Sequence, residues 1–158
     1  MRTRIKALLG GVLALGIGFT VLAAAVADDP AAAISQRRDL MKDQGKNAKA
    51  IYQFTQGQGS AADVVAAANA IAADSAKIPD LFPKGSSLDE FPGKTGAKPA
   101  IWQDWDKFKA DAEKLHEEAT KLAEVAKGGD AQAIAAQFDA MGKNGCGGCH
   151  QSFRQKLE

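Results

Sequence analysis

The sequence predicts an all-α fold, an antiparallel four-helix bundle, on three observations. Apolar residues recur every three or four positions in four separate stretches. Those stretches are bounded by capping residues, prolines and glycines placed as helix starts and stops. The composition is rich in alanine and only 6% aromatic, which favours closely packed helices over sheet.

The chain opens with a basic segment, Arg2, Arg4 and Lys6, followed by an uncharged apolar run from Ala7 to Val26. Ala25-Val26-Ala27 is a small-x-small cleavage site, so residues 1–27 are expected to be a cleaved secretory signal, with 28–158 as the mature domain. An uncleaved membrane anchor is the alternative, because the run approaches the length of a membrane span. Either outcome places the domain outside the cytoplasm, and the expected location is the periplasm. The 20 Lys and Arg against 19 Asp and Glu become 17 against 19 once Arg2, Arg4 and Lys6 leave with the signal. That near balance argues against nucleic acid as a partner and against a polybasic membrane tether.

The first helix is expected to open at Asp29-Pro30, a cap followed by proline at the first helical position, and to run to about Gln56. Its inner stripe reads Ile34, Arg38, Met41, Gly45, Ala48 and Ile51 or Tyr52. The second opens at Ser60, with Asp63 completing a capping box, carries Val64, Ala68, Ile71 and Ser75 inward, and stops at Pro79. Residues 79–98 form a long connection broken by Pro83, Pro92, Gly85 and Gly93, in which Leu81, Phe82, Leu88 and Phe91 are expected to pack onto the bundle. Connections of that length in a compact domain are uncommon and often functional. The third helix starts near Pro99, with Ile101, Trp105, Phe108, Ala112, Leu115, Ala119 and Leu122 on one face, and ends at Gly128-Gly129. Asp130 caps the fourth, in which Ile134, Phe138 and Met141 lead into the stretch that carries the chemistry.

That stretch is Cys146-Gly147-Gly148-Cys149-His150. A Cys-x-x-Cys-His run is the pattern of a covalent haem c attachment site. Thiols three positions apart share one face of a helix and can reach the two vinyl groups of one porphyrin, while the adjoining histidine serves as the proximal iron ligand. Cys146, Cys149, His150 and Phe153 themselves follow a helical stripe. Two other chemistries use the same residues. A disulfide is one, although the βαβ pattern that usually hosts such redox motifs is missing. A zinc site drawing on His116 is the other; it would ask the adjacent Cys149 and His150 to bind one tetrahedral ion.

The chain resembles the class II c-type cytochromes, the cytochrome c′ family. The resemblance is carried by Arg37-Arg38-Asp39-Leu40-Met41-Lys42 with Gly45, Leu81-Phe82-Pro83, Pro92-Gly93-Lys94-Thr95, Ala100-Ile101-Trp102, and Cys146 to Phe153-Arg154 close to the C-terminus. It implies one covalent haem held between the first and last helices of a four-helix bundle. It also implies that Met41 faces the sixth coordination position. Members behave in two ways there: a methionine coordinates the iron and the protein carries electrons, or the residue only shields a five-coordinate iron that binds NO or CO. The surroundings of Met41 are similar to the low-spin, methionine-ligated branch, so His150 and Met41 are taken as the iron ligands, with gating by Met41 as the alternative.

The resemblance further implies a propionate contact from Arg37 or Arg38, where Arg38 replaces a common glutamine; the fork of a guanidinium suits a carboxylate. Thr95 and Gly96 fall where the family's long loop passes the haem, and Gly96 replaces a frequent glutamate, which removes a side-chain contact. Some members are homodimers joined through the first two helices. His116 is expected at a surface or boundary position, Trp102 and Trp105 in core or haem-edge packing, and Lys143 and Lys156 on a solvated face able to steer an acidic partner. No nucleophile paired with a base and no phosphate loop is visible. The expected function is electron transfer to a periplasmic or membrane-bound redox protein rather than catalysis.

Overall fold

The computed structural model describes residues 29–157. The expected signal and its cleavage site lie outside the described residues. The elements are α1 (Pro30–Thr55), α2 (Ala61–Ser75), a short α3 (Ala100–Gln103), α4 (Trp105–Lys127), α5 (Ala131–Ala140), a π-helical stretch (Met141–Gly147) and α6 (Gly148–Phe153). The last three are continuous and together make the fourth long helix. The all-α bundle is therefore the architecture observed, and the starts follow the caps. The Asp29 side chain accepts from Ala31 N at the head of α1. Ser60 and Asp63 cap each other reciprocally at α2. Asp130 accepts from Gln132 N and Ala133 N at α5.

Two elements depart from the expected outline. The third helix is not continuous from Pro99. It breaks at Asp104, whose backbone leaves the helical region (φ −128°, ψ 59°) and whose carboxylate accepts from Lys107 N to start α4 afresh. An Asp one turn into a helix competes for the backbone in this way. The fourth helix widens into a π turn over Met141–Gly147. Met141 is fully buried there, and a Cβ on Gly145 would lie 2.8 Å from Leu115 Cδ1 and 3.1 Å from Leu115 Cα. Only glycine lets this turn lie so close to α4, and π turns recur at functional sites.

α2 packs most extensively on α4, and α1 packs on α2. Alanines make that closeness possible: Ala67, Ala68 and Ala72 on α2 are buried with Ala112, Ala119 and Ala123 on α4. α1 meets the fourth long helix chiefly through α5. Beside the π stretch and α6 the two helices stand apart, and the space between them is the site.

The long connection differs from expectation in what it buries. Leu81, Phe82, Leu88 and Phe91 are only half-buried, whereas Ser86, Ser87, Thr95 and Ala97 are buried. The reason is Arg37. Its side chain is 4% exposed and enters the connection, donating from Nη1 to Ser86 Oγ (2.9 Å) and from Nη2 to Ser86 O (2.5 Å) and Thr95 Oγ1 (2.7 Å). The guanidinium also lies 4.6 Å from the Phe82 ring centroid. A buried cation needs such partners. Arg38, which the stripe pointed inward, is exposed. The two are 100° apart around the helix, and the one that meets the loop is Arg37.

Candidate cofactor site

One cavity of about 560 Å³ opens between α1 and the end of the chain, a size usual for small-molecule sites. Met41, Gln44, Gly45 and Ala48 line it from α1, and Cys146, Cys149 and His150 line it from the last helix. Ile71, Phe108, Ala112 and Leu115 close its interior. Every residue singled out from the sequence as a cofactor or iron contact lines this space: Cys146, Cys149, His150, Arg37, Arg38, Met41, Thr95 and Gly96.

The connection reaches the cavity because it pairs with the C-terminal end. Gln155 N donates to Gly96 O (2.8 Å) and Lys98 N to Phe153 O (3.0 Å), with an antiparallel bridge between Ala97 and Arg154. A Cβ at position 96 would collide with the Gln155 carbonyl oxygen. Glycine is thus required by backbone approach, which explains the residue better than the loss of a glutamate does. Thr95 Oγ1 accepts from Arg37 Nη2 and from Ala97 N, so its own proton remains available toward the cavity.

Burial sets the electrostatics. The Cys146 thiol is pushed above its ordinary value, and the Cys149 thiol is raised to about 11 by burial and then by Asp111. His150 is held below its ordinary value by burial and by Arg154. At neutral pH the wall presents two protonated thiols and a neutral imidazole, the imidazole form that ligates metals. The cysteines are not joined in a disulfide. Among the described residues no group of three or more His, Cys, Asp or Glu could hold a metal ion. His116 stands away from the cavity at a half-buried boundary, where Nδ1 donates to Ala72 O (3.0 Å) and ties α4 to α2. Trp102 donates from Nε1 to Phe82 O (3.0 Å).

Several contributors were not foreseen. Lys42, Lys94 and Arg154 join Arg38 in the lining, with Asp111 the acidic residue among them. Gln44 lies inward, one turn past Met41; its signal in the sequence is a polar residue three positions after Met41. Behind the π turn, Glu118 accepts from Gln137 Nε2 (2.7 Å) and from Asn144 Nδ2 (3.4 Å), fixing α5 and the turn to α4. The Gln137 hydrogen bond is the main cause that holds the Glu118 carboxyl below the usual range.

The donor set suits a haem. The lining is mostly apolar, as a flat porphyrin body needs, two unpaired thiols and an imidazole follow one another on the last helix, α1 adds a thioether, and the cations of the lining can meet carboxylates.

Residues 32–154 match a family model described as Cytochrome C′. A cytochrome c′ of Pararhodospirillum photometricum is 35% identical over 127 residues, covering 80% of this chain and 98% of that protein. A cytochrome c-556 of Agrobacterium tumefaciens (strain II Chrys) is 33% identical over 125 residues, covering 78% and 97%. The crystal structure of cytochrome c′ from Thermochromatium tepidum superposes with a TM-score of 0.73 at 29% identity, covering 81% of this chain and 98% of that one. With a match that spans nearly the whole bundle and a cavity built for the group, this chain belongs to the cytochrome c′ family, whose members carry a covalent, iron-containing haem c.

Proposed function

We propose that the protein is a periplasmic electron carrier with one haem c, attached through Cys146 and Cys149, with His150 as proximal and Met41 as distal ligand. The observation that carries this reading is that Met41 and His150 line the same cavity from two different helices, α1 and α6. Haem c supplies one-electron chemistry at its iron. The chain supplies the rest. Burial keeps His150 neutral, α1 brings a thioether to the same cavity, and the apolar interior restricts water. Histidine with methionine is a ligand pair that raises a haem potential. Arg37 is committed to the connection, so Arg38, with Lys42 and Lys94, is the better partner for the propionates. The same margin would face an acidic redox protein. Residues 1–27 would direct export; among the described residues no helix is long and apolar enough to cross a membrane. Self-association would use α1 and α2, where Tyr52 of α1 is exposed.

A second reading draws on one observation: Met41, an unbranched and flexible side chain, is only half-buried where it lines the cavity. A side chain that packing does not lock can stand aside, which suits a five-coordinate haem that binds NO or CO, with Met41 as a gate. A visible spectrum of the oxidised, haem-loaded protein separates the two. Low-spin bands with a methionine–iron charge-transfer band support the carrier; a high-spin spectrum rejects Met41 as ligand.

A further inference from the structure

Gln44 is a polar residue of the cavity that takes no part in haem attachment or iron ligation. It is 9% exposed, it lines the cavity, and its Nε2 is buried without a hydrogen-bond partner. Buried amides are rarely left so. Its place on α1 narrows what it can meet. Arg38 lies one turn before Met41, whereas Gln44 lies one turn after it, so the amide is set apart along α1 from the guanidinium that suits a propionate. The terminal amide torsion is broad and two-fold, so the donor can turn toward the cavity.

We propose that Gln44 is a hydrogen-bond donor for a diatomic ligand, of the CO or NO class, that takes the sixth iron position from Met41. This rests on the reading that Met41 and His150 face each other across the haem. A thioether sulfur is a weak acceptor, so with Met41 on the iron the amide gains little. The terminal oxygen of a bound diatomic accepts better. The amide therefore favours one occupant over the other, which is what a ligand-dependent shift requires. The exchange moves no electron or proton: one neutral donor leaves the iron and another binds.

The test uses reduced, haem-loaded protein and CO, with affinity from titration and the C–O stretch from infrared spectroscopy. Gln44→Leu should weaken CO binding roughly two- to tenfold, the scale of one hydrogen bond. It should also move the C–O stretch to higher wavenumber. Both changes should recur when Gln44→Leu is added to Met41→Ala, where competition from sulfur is gone, and Gln44→Met should reproduce them if Leu impairs folding. The CO-free Gln44→Leu protein should melt no lower than wild type, because an unpaired amide has been removed. An identical C–O stretch in Met41→Ala and in the double variant overturns the role of Gln44 alone. Met41→Ala protein that stays low-spin and refuses CO overturns the axial assignment, and this proposal with it. Wild-type protein that is already high-spin, with a stretch that still depends on Gln44, rejects Met41 as ligand and upholds the donor.

Discussion

The two ends of the bundle are built on different rules. At the closed end Val64 and Ala68 of α2, Ala119 and Leu122 of α4 and Ile134 of α5 are sealed from solvent, and small side chains let the helices meet. At the open end α1 and the last helix are held apart, and the residues between them mix thiols, an imidazole, a thioether, an amide and a guanidinium. α4 serves both, with Phe108, Ala112 and Leu115 lining the cavity and Ala119 onward filling the closed core. Stability and cofactor binding are thus divided along the bundle axis. Substitutions at one end should therefore leave the property of the other nearly untouched.

The largest expected effect is at the open end. Cys146→Ala with Cys149→Ala should abolish covalent haem, read as a protein mass lower by one haem, while helical circular dichroism persists because the closed core is intact. Met41→Ala should turn a low-spin spectrum high-spin and admit CO, with little change in melting temperature. At the closed end Leu122→Ala should cost about 2–5 kcal/mol in denaturant unfolding without altering the haem spectrum. A changed spectrum there would break the division.

Arg37 and Arg38 sharpen the boundary between the ends. Arg37→Ala should cost at least about 1.5–3 kcal/mol, the scale of one charge-assisted hydrogen bond, and expose residues 86–97 to proteolysis. Arg38→Ala should stay within about 0.5 kcal/mol in stability and shift the redox potential instead. The smallest effect concerns pH. In the haem-free chain the Cys149 thiol lies near 11 rather than its ordinary 9.0, so alkylation should be slow at neutral pH and accelerate toward pH 11. The contribution of this thiol to stability is complete below about pH 9 and lost as pH rises through about 11. Fast alkylation at pH 7 would show that the thiol is not buried.

Much of this was legible because it is local. Asp29-Pro30, Ser60 with Asp63, and Asp130 act on backbone groups two or three residues away, so the sequence marks helix starts directly. Cys146, Cys149 and His150 are gathered by neighbouring positions on one helix. The break at Asp104 was hidden because the apolar stripe continues across it, from Ile101 through Trp105 to Phe108. The π turn was hidden because it depends on how closely Gly145 approaches Leu115, a contact between helices.

The helical stretches, the caps at Asp29, Ser60 and Asp130, and the haem-attachment motif are readable from the chain alone, since each depends on spacing within a single segment. Packing between segments settled which arginine turns inward, that the long connection buries serine and threonine rather than leucine and phenylalanine, why residue 96 is glycine, and that Gln44 is enclosed one turn past Met41. Those outcomes depend on which segments meet across the bundle, and residues far apart in the chain carry no local mark of the partner they will find.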